Sequence, residues 1–242
     1  DNHEHNQSSN LNQIDSLIIN NPVSLEHAAE FGSLVIQDSG GRMKPLNTFA
    51  SELLRKVSKS DTYKGLNADQ VLVSIIKNPI SWYNVPIIYL KRGNDSIRKI
   101  AGRNKKEKYA SFVDFFDENG SYKISSQLEA AYKASLPNQF QKDFIELDRR
   151  VNLLFSAFEG KILRIFPIPN DFNNKWVAFP DVQPKDFEGI DSLYVKNVLP
   201  LYLGALDNDI ETGDYNNSKK LLESIRGFQT KYGSEILPSD EK

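Results

Sequence analysis

Apolar residues recur at helical spacing through much of this chain. The clearest run lies within 139–158, where Phe140, Phe144, Leu147, Val151, Leu154 and Phe158 are separated by 4, 3, 4, 3 and 4 residues. That heptad seam predicts one long helix. Lys142, Asp143, Glu146, Asp148, Arg149 and Arg150 fill much of its remaining surface. The seam is short, about three repeats, which favours packing inside one chain over a homodimeric coiled coil.

Shorter patterns flank it. Ser24 caps a helix over 25–31 that Gly32 ends in the left-handed region. Residues 33–37 read as a strand, and Asp38-Ser-Gly-Gly41 as a turn whose two glycines are free to take positive φ. Asn47 or Thr48 then caps a helix to about 57, with Phe49, Leu53, Leu54 and Val57 on its apolar face. Asn67 and Gln70 form a capping box before Val71, Leu72, Ile75 and Ile76, and Asn78-Pro79 stops that helix. A helical turn at 80–83, an extended piece at 85–90 and a short helix at 108–116 follow. Ser126 and Glu129 read as a second capping box, opening a helix that reaches 134 before Pro137. Gly160 ends the long helix and 162–165 suits a strand. Pro167, Pro169 and Pro180 make 167–184 an irregular connection. Helices at 192–210 and 215–232, joined by Thr212-Gly213-Asp214, form an αα-hairpin. Gly213-Asp214-Tyr215 with Leu221, Leu222 and Ile225 looks like one tetratricopeptide unit. No second copy occurs at that period, so no repeat array is expected.

The class this predicts is mainly α with a few short strands, a minor α+β component. It is a helical domain with a long central helix and a C-terminal αα-hairpin. The expected divisions are a flexible polar segment at 1–22, a mainly helical domain at 23–166, the Pro-rich connection at 167–184, and a hairpin at 185–242 packed on the same domain.

Composition narrows the chemistry. The 242 residues are 39% hydrophobic and 26% charged, enough apolar content for a sizeable core. The absence of cysteine rules out disulfides, thiolate zinc sites, iron–sulfur clusters and a cysteine nucleophile. Met43 is the single methionine, so a processed protein or an excised segment is expected. No stretch approaches the roughly 18 apolar residues of a membrane span. The longest uncharged apolar run, 198–206, holds Pro200 and Gly204 and suits a buried helix.

Two of the three histidines, His3 and His5, lie in the polar N-terminal segment, where they lack a fixed third ligand. His27 is the one histidine in the folded part. Capping, packing or surface exposure is its ordinary role, and axial ligation of haem the functional alternative. No nucleophile elbow, zincin helix, EF-hand loop, Walker A loop or Rossmann fingerprint occurs, and no catalytic or metal-ligating set is assigned. Gly40-Gly41-Arg42-x-Lys44-Pro45 puts two cations between a turn and a helix start. Its backbone N–H groups with Arg42 and Lys44 could hold a carboxylate or phosphate, or the glycines serve the turn and the cations face solvent. Residues 91–108 carry eight cations against Asp95 and Glu107, a net of +6 in a chain of net −2, which leaves −8 elsewhere. Such a patch suits an acidic partner, anionic lipid headgroups or plain solvent. A pI near 6.0 and the lack of a known module argue against nucleic acid.

Several blocks, taken in order, resemble one family. They are Phe31-Gly-x-Leu-x-Ile-Gln-Asp38, Gly41-Arg-x-Lys-Pro-Leu-Asn-Thr48, Glu52-Leu-Leu-Arg-Lys56, Gly65-Leu with Asp69-Gln-Val71, and Pro79-Ile-Ser-Trp82 before Pro86. Leu147-Asp-Arg-Arg-Val-Asn152, Leu163-Arg-Ile-Phe-Pro167, Trp176, Gly213-Asp-Tyr215, Gln229-x-x-Tyr-Gly233 and Leu237-Pro-Ser239 continue the series. Together they span nearly all of 24–240 and resemble the large extracytoplasmic loop of bacterial cytochrome c biogenesis proteins of the fused ResB–CcsA type (System II). The resemblance implies a polytopic membrane parent that carries haem to the C-x-x-C-H segment of apocytochrome c. It implies a position on the periplasmic side of the inner membrane, with apocytochrome c and the transmembrane part of its own chain as partners. The family's Trp-rich haem segment is absent here, so its haem ligands are not carried over and a non-catalytic supporting role is implied. Gly41, Arg42, Lys44 and Asn47 form the matching block offered for binding, together with Trp82 and Trp176, which match motif positions either as packing anchors or as a haem platform. The reading from a different class is a secreted or lipid-anchored helical module that binds a peptide or glycan.

Overall fold

The computed structural model describes Ser16 and residues 18–237. Residues 1–15, with His3 and His5, and 238–242 lie outside the described residues. The expected polar segment ends earlier than 22. Residues 18–20 are helical, and Ile18 joins the core because its side chain is apolar and 95% covered (5% exposed).

The protein is mainly helical, with short strands in two-stranded antiparallel pairs. Helix α1 (Leu25–Gly32) starts at Ser24, whose hydroxyl accepts from the His27 N–H at 3.1 Å. Strands β1 (Val35–Gln37) and β2 (Met43–Pro45) pair across the 38–42 turn and run directly into α2 (Leu46–Ser58). The β3–β4 pair (Thr62–Tyr63, Leu66–Asn67) leads into α3 (Ala68–Lys77). There the Asn67–Gln70 capping box forms as its spacing predicts. One turn, α4 (Pro79–Trp82), precedes β5 (Ile88–Tyr89), which pairs with β6 (Tyr109–Ala110) around α5 (Asp95–Ile100). Helix α6 (Ser125–Lys133) precedes the long α7 (Gln139–Phe158). Strands β7 (Arg164–Pro167) and β8 (Trp176–Ala178) then lead to the hairpin of α8 (Gly189–Thr212) and α9 (Asn216–Gly233).

The α7 seam is used within the chain. Phe144, Leu147, Val151, Leu154 and Phe158 are buried against α2, α3 and α6. Phe140, half-exposed at the first turn, packs at a tilt against Phe144 instead. One apolar core runs from Ile18 through Phe31, Leu54 and Val151 to Phe228, so it includes side chains of the hairpin.

Three buried glutamines close gaps between elements through main-chain atoms. Gln229 of α9 donates to the carbonyls of Val35 (2.8 Å) in β1 and Ile165 (3.0 Å) in β7. Gln37 of β1 accepts from the Trp176 N–H (2.8 Å) and donates to the Asn174 carbonyl (3.0 Å). Gln70 of α3 donates to the Val23 carbonyl (2.8 Å).

Several local expectations change. Gly32 does not take the left-handed region. It is glycine because a Cβ there would sit 2.9 Å from Asp69 Oδ2 and 3.0 Å from the Asn47 Cβ. Of the turn glycines only Gly41 has positive φ, at +80°. Neither Asn47 nor Thr48 caps α2. Pro45 occupies that position without a side-chain bond, and Asn47 is already inside the helix, because the Leu46 N–H bonds the Leu34 carbonyl and buries Leu46. Residues 108–116 form a strand and a 3₁₀ turn rather than an α-helix. Ser126 does not cap α6, which starts at Ser125 because Ile124 is anchored in the core and the Ser125 hydroxyl donates back to the Tyr122 carbonyl. The 167–184 stretch is not wholly irregular. It contains β8, which returns to pair with β7 and buries Trp176.

Candidate functional site

The β1–β2 turn carries its own anion. Asp38 Oδ1 accepts from the N–H groups of Gly40 (2.8 Å) and Arg42 (3.0 Å), and the Gly41 N–H bonds the Asp38 carbonyl. The Arg42 N–H, chiefly, holds the Asp38 carboxyl below its ordinary pKa. Lys44 Nζ lies 3.5 Å from Asp38 Oδ2 and 3.2 Å from Glu52 Oε2. Arg42 and Asn47 are exposed. Gly41 and Arg42 therefore lie in one turn, with Lys44 in β2 beside it and Asn47 a short way into α2.

Trp82 lies apart from this turn, whereas Trp176 is joined to it through Gln37, which accepts from the Trp176 N–H and donates to the Gly41 carbonyl; both indoles are fully buried. Trp82 donates from Nε1 to Ser74 Oγ at 2.9 Å. Trp176 covers the end of α9, where a Cβ on Gly233 would collide with its ring. Both act as packing anchors.

His27 is 2% exposed. Its Nε2 shares a 3.0 Å hydrogen bond with the Tyr202 hydroxyl of α8, and its ring stacks on Tyr215 with centroids 4.7 Å apart. The Tyr215 hydroxyl accepts from the Ser24 N–H at 3.0 Å, so α1 is fastened to the hairpin at this point. Burial lowers the His27 pKa below its ordinary 6.5 and outweighs the attraction of Glu30 and Asp209. Lys219 and Arg226 push the same way as burial. Burial also raises the Tyr202 pKa. Below this stack, Asp209 of α8 accepts at Oδ2 from the Ser218 N–H (2.9 Å) and hydroxyl (2.6 Å), capping the first turn of α9. Burial of Asp209 opposes its charge, but the Ser218 bonds prevail and its pKa is lowered.

The feature that sequence reading missed lies on α8. One face is buried through Val195, Val198, Leu199, Tyr202 and Leu206. The opposite face exposes Ile190 (80%), Leu193 (64%) and Leu201 (60%). A shallow groove of about 370 Å³ runs there, lined by Ile190, Leu193, Tyr194, Asn197 and Leu201 of α8 and Leu221 of α9, with Val198 at its floor on the way to the buried face. A helix apolar on both faces leaves a second apolar surface facing solvent. The signal was present at 190, 193 and 201, but the uncharged run at 198–206 drew the reading toward a buried helix. Among the described residues, no three His, Asp or Glu side chains group as a metal site. No helix among them is long and apolar enough to cross a membrane.

These observations define a mainly helical domain with an apolar groove on its C-terminal helical hairpin. The chain is similar to protein NrfI of Wolinella succinogenes. The two are 32% identical over 224 residues, which is 90% of this chain and 24% of NrfI. The chain thus spans about a quarter of the length of the curated relative it matches. No family model matches the chain.

Proposed function

We propose that this chain is an extracytoplasmic domain of a membrane-bound cytochrome c assembly protein, on the periplasmic side of the inner membrane. In this reading it binds apocytochrome c near its C-x-x-C-H segment and holds it for haem attachment carried out by other parts of the parent protein. The observation that carries the proposal is the apolar groove of Ile190, Leu193, Leu201 and Leu221. The ordered blocks of the ResB–CcsA kind and the similarity to NrfI support it. An apolar wall suits an unfolded polypeptide better than a glycan, which needs polar partners and stacking faces. Arg42, exposed beside the Asp38 turn, is a second contact for a carboxylate of the client or of haem. Haem is the substrate of the parent protein and is supplied to the client.

The test is a fluorescence anisotropy titration with a labelled C-x-x-C-H peptide from an apocytochrome. Binding in the micromolar range is expected. Leu193→Asp with Leu201→Asp, both at exposed positions, should weaken it at least about tenfold while the circular dichroism spectrum stays unchanged. Absence of binding at high micromolar concentration, or equal binding by the double variant, overturns the reading.

A further inference from the structure

The 91–108 segment sorts its cations into two sets. The inner set builds the loop. Arg98, 4% exposed, donates to the carbonyls of Leu90 (3.0 Å), Lys91 (2.8 Å) and Glu107 (3.1 Å), so one guanidinium closes both arms. Lys91 Nζ lies 2.7 Å from Asp143 Oδ1 on α7. Arg103 bonds Asp114 Oδ2 (2.8 and 2.6 Å) and Glu107 Oε1 (3.2 Å). Ile97 and Ala101 anchor the segment in the core. These groups fix the shape of the loop and have little charge left to offer.

The outer set is Arg92, Lys99, Lys105, Lys106 and Lys108, all exposed. Within the segment the only acids are Asp95, exposed and 3.3 Å from Lys105, and Glu107, already held by Arg103 and the Asn104 N–H. Five outward cations against one outward carboxylate leave +4 on a loop held rigid from within. The chain as a whole is −2, so this charge is local rather than a general basicity. None of the described cavities is lined by a residue of this loop, and its exposed positions carry no apolar or aromatic side chain. A shaped acidic protein would need a shaped receptor. A diffuse anionic surface needs only charge at a fixed height.

We infer that the 91–108 loop is a docking surface for anionic phospholipid headgroups. Four net charges at an anionic leaflet amount to roughly a thousandfold in partitioning at low salt, falling as salt screens them. The loop shares no residue with the hairpin groove, so this inference and the peptide-binding reading succeed or fail separately.

The full chain is sedimented with phosphatidylcholine vesicles and with equimolar phosphatidylcholine–phosphatidylglycerol vesicles. It should pellet with the anionic vesicles alone and be released by raised salt. A variant carrying R92Q, K99Q, K106Q and K108Q should lose about a hundredfold or more in partitioning, and R92E with K108E, which removes the same four units of charge at two positions, should lose a comparable amount. Failure to pellet with anionic vesicles overturns the inference. Retention by both variants overturns it as well, as does capture of a polyglutamate peptide by a chain that ignores the vesicles.

Discussion

His27 is a base placed where a proton is unwelcome. Burial holds its folded pKa below the ordinary value of 6.5, so the native state keeps the ring neutral while the unfolded chain protonates freely. Stability is therefore unaffected well above 6.5 and falls as the pH drops below it, until the folded pKa is reached. Urea midpoints measured from pH 7.5 to 5 should fall in the wild type and fall less in His27→Gln. A slope unchanged by the substitution would assign the acid sensitivity elsewhere. The residue scale also shows where local reading ends. The glycine at 32 was legible as special, but the reason was not. Helix-end chemistry was the natural inference, whereas the cause is the close approach of Asp69 and Asn47, which are distant in sequence. The Asp38 turn was legible as a cradle for an anion, yet the sequence pattern could not say that its own aspartate occupies it.

Helix starts divide by where their caps come from. The Asn67–Gln70 box was readable because both partners lie within one turn, and Asn138 with Gln141 at the start of α7 obeys the same local rule. The cap of α9 comes from Asp209, nine residues before Ser218 and on the other helix of the hairpin, so no local pattern could reveal it. This carboxylate is fully buried and its two bonds are charge-assisted. Asp209→Ala should cost about 2–3 kcal/mol by denaturant unfolding, since it leaves the Ser218 N–H without its side-chain acceptor and the Ser218 hydroxyl with only the Tyr215 carbonyl. The lowered pKa of Asp209 sets the pH window. Its stabilisation is fully present above the ordinary carboxylate value and is lost as pH falls through the folded value. The wild type and the alanine variant should thus converge in acid, and a gap that persists there would point to packing rather than charge. The same hairpin supplies the main omission in the candidate site. Ile190, Leu193 and Leu201 were visible as apolar, but which face of α8 the core would claim depended on Tyr202 meeting His27 and Phe31 of α1 and on the packing of α8 against α9.

At the scale of the whole molecule the long α7 followed from its 3.6-residue pattern, and the hairpin from two helical runs broken at Thr212-Gly213-Asp214. The β7–β8 pair did not, because its register is set by a partner across a Pro-rich excursion and by Gln37 binding the Trp176 main chain. Gln229 tests how the halves are joined. Gln229→Leu removes the donor to the Val35 and Ile165 carbonyls and leaves two acceptors in a site 3% exposed. A loss of about 2 kcal/mol is expected in urea unfolding, with hydrogen exchange rising first at the ends of β1 and β7. Unchanged exchange there would show that apolar contact alone holds the seam.

The glutamine clasps have a consequence for where this domain can work. A side-chain amide neither takes up nor releases a proton in the range that titrates His27 and Asp209, and it has no electron to exchange. The chain has no thiol that an oxidant could convert. Its acid response is therefore confined to groups such as His27 and Asp209, while the joins made by Gln37, Gln70 and Gln229 hold equally in oxidising and reducing surroundings. The domain can stand beside thiol chemistry without taking part in it.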